Sequence, residues 1–178
     1  MKYLIDRASA ITPKDSLDDL LKSKNSLRIK LGVDPTAPDV TLGWYAILRA
    51  LRKFQDYGHT AVLILGEFTA QVGDPSGKSE TRTQLEENQI DDNSKGVLPI
   101  IKNILNKENL EIVSNKDWLS KLSTSELVHL SSSTTLAQML EREDFANRYK
   151  DGNPISLTEF FYPLFQGYDS VAVKADIE

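Results

Sequence analysis

The most constraining feature is a run of five successive apolar residues, Ala61-Val62-Leu63-Ile64-Leu65, set between Thr60 and Gly66. A strand with one wet face alternates apolar and polar residues. An unbroken run is expected where both faces are covered, as in the middle of a parallel sheet. Upstream, Leu27-Arg28-Ile29-Lys30-Leu31 alternates with period two and predicts a second strand. Between them, Tyr45 to Tyr57 carries Ile47, Leu48, Leu51 and Phe54 at helical spacing. Gly58 then suits a left-handed helix cap, and His59 reads as a cation at that helix end rather than as a base. Strand, helix and strand within about forty residues make a βαβ unit, right-handed by the general rule. Glu111-Ile112-Val113-Ser114 is a third strand candidate. The expected fold class is α/β, a Rossmann-like parallel sheet flanked by helices.

In such a sheet, ligands bind above the carboxyl ends of the strands. Two strand-to-helix loops open there. The first is Gly32-Val33-Asp34-Pro35-Thr36-Ala37-Pro38-Asp39-Val40-Thr41-Leu42-Gly43-Trp44. The helix N-terminus behind it favours an anion such as phosphate, and Gly32 and Gly43 let backbone approach a ligand closely. The second runs from Gly66 to Arg82. Asp74, between Gly73 and Pro75, is a fixed carboxylate suited to an ammonium group. Lys78 and Arg82 are spaced to reach a phosphate. Gly77-Lys78-Ser79 lacks the glycine spacing of a P-loop. Farther on, Tyr162, Gln166 and Asp169 stand at i, i+4 and i+7 and share one helix face. Each feature also has a plain reading: a Pro-stiffened connection, a polar surface loop, a solvated helix face.

The letters carry more than the spacings. Gly32 to Asp39, followed by Leu42-Gly43 opening a helix, resembles the first signature of the class I aminoacyl-tRNA synthetases, and most closely their bacterial tyrosyl branch. Phe68-Thr69, then Gly73-Asp74-Pro75-Ser76-Gly77-Lys78, resembles the same branch at the same distance downstream. Asn115-x-x-Trp118 resembles the pair that shapes the tyrosine pocket there. Leu136 to Phe145 resembles the segment inserted between the halves of the catalytic domain. Tyr162-x-x-x-Gln166-x-x-Asp169 resembles the tyrosine-binding helix.

That resemblance implies a first Rossmann half over about residues 28–114, a helical insertion over about 115–155 and a tyrosine-pocket helix over about 156–176. It implies ATP-dependent activation of tyrosine, with Mg2+ accompanying ATP, and transfer to tRNA-Tyr. By position, Asp74, Tyr162 and Gln166 would meet the substrate amino group and Asp169 its phenolic hydroxyl, with Gly32 beside them. Gly32, Asp34, Thr36 and Gly43 would face ATP; Lys78 and Arg82 would act on its phosphates. The insertion implies a homodimer, and the family a cytoplasmic location. One departure stands out. The signature ends His-[Ile/Leu]-Gly-His, or with Asn last, in the family. Here it reads Thr41-Leu42-Gly43-Trp44. Both phosphate-contacting positions are altered, so slow activation is expected. The strand with Gly-Gly-[Thr/Ser]-Asp-Gln and the Lys-Met-Ser-Lys-Ser loop follow in relatives beyond the segment matched here. The alternative is a truncated, catalytically idle paralogue that binds tyrosine or serves as a regulatory or dimerisation module.

Bulk properties bound the rest. A net charge of −5 over 178 residues does not describe a stand-alone nucleic-acid binder. The absence of cysteine fits a reducing interior and excludes disulfides. No apolar run approaches the roughly eighteen residues needed to span a bilayer, and no sustained apolar segment opens the chain as a secretory signal. Further helices are expected at Ile11–Ser23, within Thr83–Leu105 after a polar, mobile start, over Leu127–Tyr149 with a break at 131–135, and at Thr158–Lys174. Asp74, Tyr162, Gln166 and Asp169 are expected to converge on one pocket beside Gly32–Asp34. The sheet is expected to be incomplete, with an open edge near Val171–Ile177.

Overall fold

The computed structural model describes residues 2–13, 17–23, 25–75 and 85–178. Strands β1 (Arg28–Val33), β2 (Thr60–Leu65) and β3 (Leu110–Ser114) form one parallel sheet in the order β1-β2-β3. The helices are α1 (Lys2–Ile5), α2 (Leu17–Ser23), α3 (Leu42–Asp56), α4 (Thr69–Val72), α5 (Glu87–Ile104), α6 (Lys116–Leu119), α7 (Thr124–Ser131), α8 (Leu136–Met139), α9 (Glu143–Lys150) and α10 (Phe161–Ala172).

The apolar run of β2 sits where the pattern places it, between β1 and β3. Its side chains alternate between two cores. Ala61, Leu63 and Leu65 join Leu27, Ile29, Leu48, Leu51, Val97 and Ile101 on one face. Val62 and Ile64 pack with Val173, Val113 and Trp118 on the other. Register brings Val33 beside Leu65 and Leu65 beside Ser114, so the three strands end level at one edge. Both loops singled out above leave from that edge.

The chain returns to the sheet on the far side of β1. Lys30 N–H donates to the Ile177 carbonyl at 2.8 Å and Asp176 N–H to the Arg28 carbonyl at 2.9 Å, as a parallel bridge between Ile29 and Ile177. The spatial order is therefore Ile177, β1, β2, β3, and the winding reverses beside β1. Such a reversal is where open α/β sheets place their ligand crevice. The expected open edge near Val171–Ile177 is modified accordingly: Val173 is buried and Ile177 packs on the core, while Val171 stays exposed.

Other expectations change in detail. The polar stretch at 86–94 is mostly helix, because Ile90, Val97 and Ile101 keep one face of α5 buried from its first turn. The Gln89 side chain accepts the Glu86 N–H at 3.1 Å and fixes the start. Residues 127–149 form parts of three short helices rather than two, with Ser123 and Thr135 as N-caps. Part of the helix expected from Ile11, residues 14–16, and the beginning at Thr83 lie outside the described residues. Gly58 takes its left-handed conformation, φ +86°. His59 does not act as a helix-end cation. It is buried, its Nδ1 accepts the Leu27 N–H at 3.3 Å, and burial lowers its pKa, so it serves as a neutral acceptor at the start of β1.

Leu63 is wholly buried at the centre of the larger core. Leu63→Ala is expected to cost about 2–5 kcal/mol in urea unfolding. Val171→Ala, on an exposed position, is expected to stay within about 0.5 kcal/mol.

Candidate functional site

A cleft of about 170 Å³ opens above the carboxyl end of β1. Gly32, Asp34 and Thr36 supply one side, Trp44 of α3 another, and Asp74 and Tyr162 the rest, over apolar Leu31, Val33 and Ile47. The sequence builds this locally. β1 ends at Val33, Thr41 caps α3 by accepting the Trp44 N–H at 3.3 Å, and the prolines between keep the connection from becoming helix. The first turn of α3 carries no acidic residue, so its positive end faces the turn undiminished.

Asp34 is the fixed point. Its Oδ1 accepts the Thr69 hydroxyl at 2.7 Å and its Oδ2 the Tyr162 hydroxyl at 2.9 Å. Gly66 makes room for this contact, since a Cβ there would overlap Asp34 Oδ1. Thr69 Oγ1 in turn accepts from Asn115 Nδ2 at 3.0 Å, and the same amide nitrogen donates to Asp169 Oδ2 at 3.1 Å. Trp118 Nε1 donates to Asp169 Oδ1 at 2.8 Å. The Phe68 N–H donates to Asn115 Oδ1 at 2.9 Å, which sets the amide orientation and hence the sense of the whole chain. Every carboxylate oxygen in it accepts a hydrogen bond.

Burial pushes the Asp169 carboxyl above its ordinary pKa, opposed by the hydrogen bonds from Trp118 and Asn115 and by the nearby Lys30 charge. Lys30 is itself buried. Its ammonium donates to Glu178 Oε2 at 2.9 Å and to the Gln166 carbonyl at 3.1 Å, tying α10 to β1.

The structure thus gathers Gly32, Asp34, Thr36, Trp44, Asp74 and Tyr162 around one cleft. Asp169 does not line it; it lies buried farther along α10 and joins Asp34 through Asn115 and Thr69. Gln166 also stands outside the lining, with its side chain exposed and its carbonyl held by Lys30. Thr41 and Gly43 are exposed in the turn and first turn of α3. Lys78 and Arg82 lie outside the described residues. The reading of spacings missed Gly66, Thr69 and Lys30 as parts of this site. Thr69 is 35 residues from Asp34, and helix or strand periodicity carries no signal over that distance.

The chain belongs to the class I tRNA synthetases of the W and Y group, whose family model matches residues 22–178. Within that family it is tyrosyl-tRNA synthetase-like and covers the N-terminal half of the catalytic domain. It is 52% identical to the tyrosine–tRNA ligase of Carboxydothermus hydrogenoformans, over 94% of this chain and 42% of the other. It is 48% identical to that of Thermotoga maritima, over 100% and 44%. A C-terminally truncated mitochondrial tyrosyl-tRNA synthetase from Coccidioides posadasii superposes with a TM-score of 0.79 at 25% identity, covering 97% of this chain and 50% of that one. The chain therefore spans less than half the length of the curated relatives it matches.

A raised carboxyl pKa means that the folded state holds the Asp169 proton to higher pH than the unfolded state does. That contribution is fully present at acid pH and is lost as pH rises out of the ordinary carboxylate range. Wild type is therefore expected to show a downward slope of unfolding free energy there that Asp169→Asn lacks, read by urea titrations across pH. Equal slopes in the two proteins would contradict the assignment.

Proposed function

We propose that this chain binds L-tyrosine and ATP at the cleft above β1 and belongs to the machinery that joins them as tyrosyl-adenylate. The product would then pass its tyrosyl group to tRNA-Tyr. The observation that carries this reading is the convergence of Asp74 and Tyr162, on separate elements, beside Asp34 and Gly32 in the signature turn. Asp74 and Tyr162, which line the cleft, would hold the amino group with Gln166 just beyond the lining, and a tyrosine reaching past the lining along α10 would bring its phenol to the buried Asp169. Gly32, Asp34, Thr36 and Gly43 would take the nucleotide, with Lys78 and Arg82 on its phosphates. Among the described residues, no cluster of three or more His, Cys, Asp or Glu could hold a metal. Mg2+ would arrive on the ATP phosphates.

Carboxylate attack on the α-phosphorus of ATP needs no covalent protein intermediate. The protein aligns the two substrates and stabilises charge on the departing pyrophosphate. Here the substitutions at 41 and 44 matter. Thr41 Oγ1 already caps α3, and Trp44 offers one indole N–H on a ring that packs against the core. Losing a hydrogen-bond donor to the transition state costs about 2.7–4 kcal/mol each. That observation favours a second reading, in which the chain binds tyrosine but activates it poorly, as a regulatory or dimerisation module.

The exposed apolar residues Val128, Leu136 and Tyr149 on α7, α8 and α9 support a homodimer formed through the insertion. No helix among the described residues is long and apolar enough to cross a membrane. We propose a cytoplasmic location, as the family resemblance implies.

Calorimetry with tyrosine, beside tyrosine-dependent exchange of labelled pyrophosphate into ATP, tests the proposal. Measurable tyrosine binding is expected, weakened about tenfold or more by Asp74→Ala through loss of a charge-assisted contact. Exchange is expected near background in the 178-residue chain. Vigorous exchange would overturn the idle reading, and absent tyrosine binding would overturn the proposal itself. Restoring histidine at 41 and 44 is expected to raise exchange if the altered signature is the limiting deficit.

A further inference from the structure

We propose that Asn93 and Gly96 of α5 are positioning residues that hold the signature turn in its nucleotide-facing shape. Pro35 and Pro38 flank Thr36 and have no N–H of their own, so this part of the turn is poor in donors that could brace it internally. One internal bond is present, from the Thr36 N–H to the Asp34 carbonyl at 2.8 Å. The rest comes from α5. Asn93 Nδ2 donates to the Pro35 carbonyl at 3.0 Å. Gly96 lies against Pro38 so closely that a Cβ would stand 2.5 Å from the Pro38 carbonyl oxygen and 3.0 Å from its Cβ. Asn93 and Gly96 are three apart and share a helix face. The helix that carries them is immobilised by Ile90, Val97 and Ile101, each essentially buried.

The brace therefore has a rigid base and two contact points, one on each side of Thr36, which lines the cleft. Asp34 is held separately, by Thr69 and Tyr162. Loosening α5 from the turn should disturb the nucleotide side and spare the amino-acid side. This inference rests on the reading of the cleft as a tyrosine and ATP site, and it supplies positioning groups for the ATP side.

The experiment compares wild type with Asn93→Ala, Gly96→Ala and, as a control, Lys95→Ala, an exposed neighbour paired with Asp92. Amide hydrogen exchange is followed at Thr36, Val40 and Thr41, with calorimetry for ATP and for tyrosine and a thermal melt on each protein. Asn93→Ala is expected to speed exchange at Thr36 about tenfold, the scale of one lost hydrogen bond. ATP affinity is expected to fall by a similar factor of about ten, with tyrosine affinity within about twofold and the melt unchanged. Lys95→Ala is expected to match wild type. Gly96→Ala should show the same split more strongly. Should it fail to fold, Asn93→Ala decides. Exchange in Asn93→Ala equal to wild type overturns the proposal, as does equal weakening of both ligands with a lowered melt. If wild type binds no ATP, the reading of the cleft fails instead, and hydrogen exchange alone decides the brace.

Discussion

Asp34 is held from two directions, and the site depends on it. The Thr69 hydroxyl fixes one oxygen from the loop after β2, and the Tyr162 hydroxyl fixes the other from α10. A carboxylate with both oxygens satisfied at 2.7 Å and 2.9 Å has little freedom to rotate. It thereby locks three segments together at the carboxyl edge of the sheet: the end of β1, the start of α4 and the first turn of α10. The absence of a side chain at Gly66 is what permits the arrangement. Asn115 extends it to Asp169 and Trp118, so the signature turn and the far part of α10 share one hydrogen-bonded chain.

The sheet places that lock. β2 is covered on both faces, and the chain crosses from β3 to the far side of β1 before it pairs again at Ile177. The winding reverses beside β1, and the cleft lies above the carboxyl end of that strand. Lys30 braces the same corner from below, since its ammonium reaches both Glu178 and the Gln166 carbonyl. A buried ammonium with two acceptors fixes α10 in height, which in turn fixes Tyr162.

Much of this was legible in the residues. The apolar run of β2, the period-two pattern of β1 and the stripe of α3 identified a βαβ unit, because each element's burial sets its periodicity. The two loops could be assigned to one edge from the direction of a parallel sheet alone. The polar chain through Thr69 and Asn115 was not legible from spacing. Its members are joined across 35 and 46 residues, and hydrogen bonds between distant side chains leave no periodic trace. The start of α5 was misread because its exposed residues Asp91 and Asp92, with the polar Asn93, hide the buried Ile90 among polar letters. Likewise, His59 looked like a helix-end cation until burial made it a neutral acceptor for β1.

The altered signature sharpens what the lock is for. Thr41 and Trp44 occupy the altered signature positions, while Asp34, Asp74 and Tyr162 still line one cleft. The central claim is that Asp34 and Tyr162 act as one unit in organising that cleft. A double-mutant cycle of Asp34→Ala and Tyr162→Phe, read by tyrosine calorimetry, tests it most directly. The account predicts strong non-additivity, a coupling of about 0.5–3 kcal/mol, with the double variant little worse than Asp34→Ala alone. Effects that simply add would contradict it.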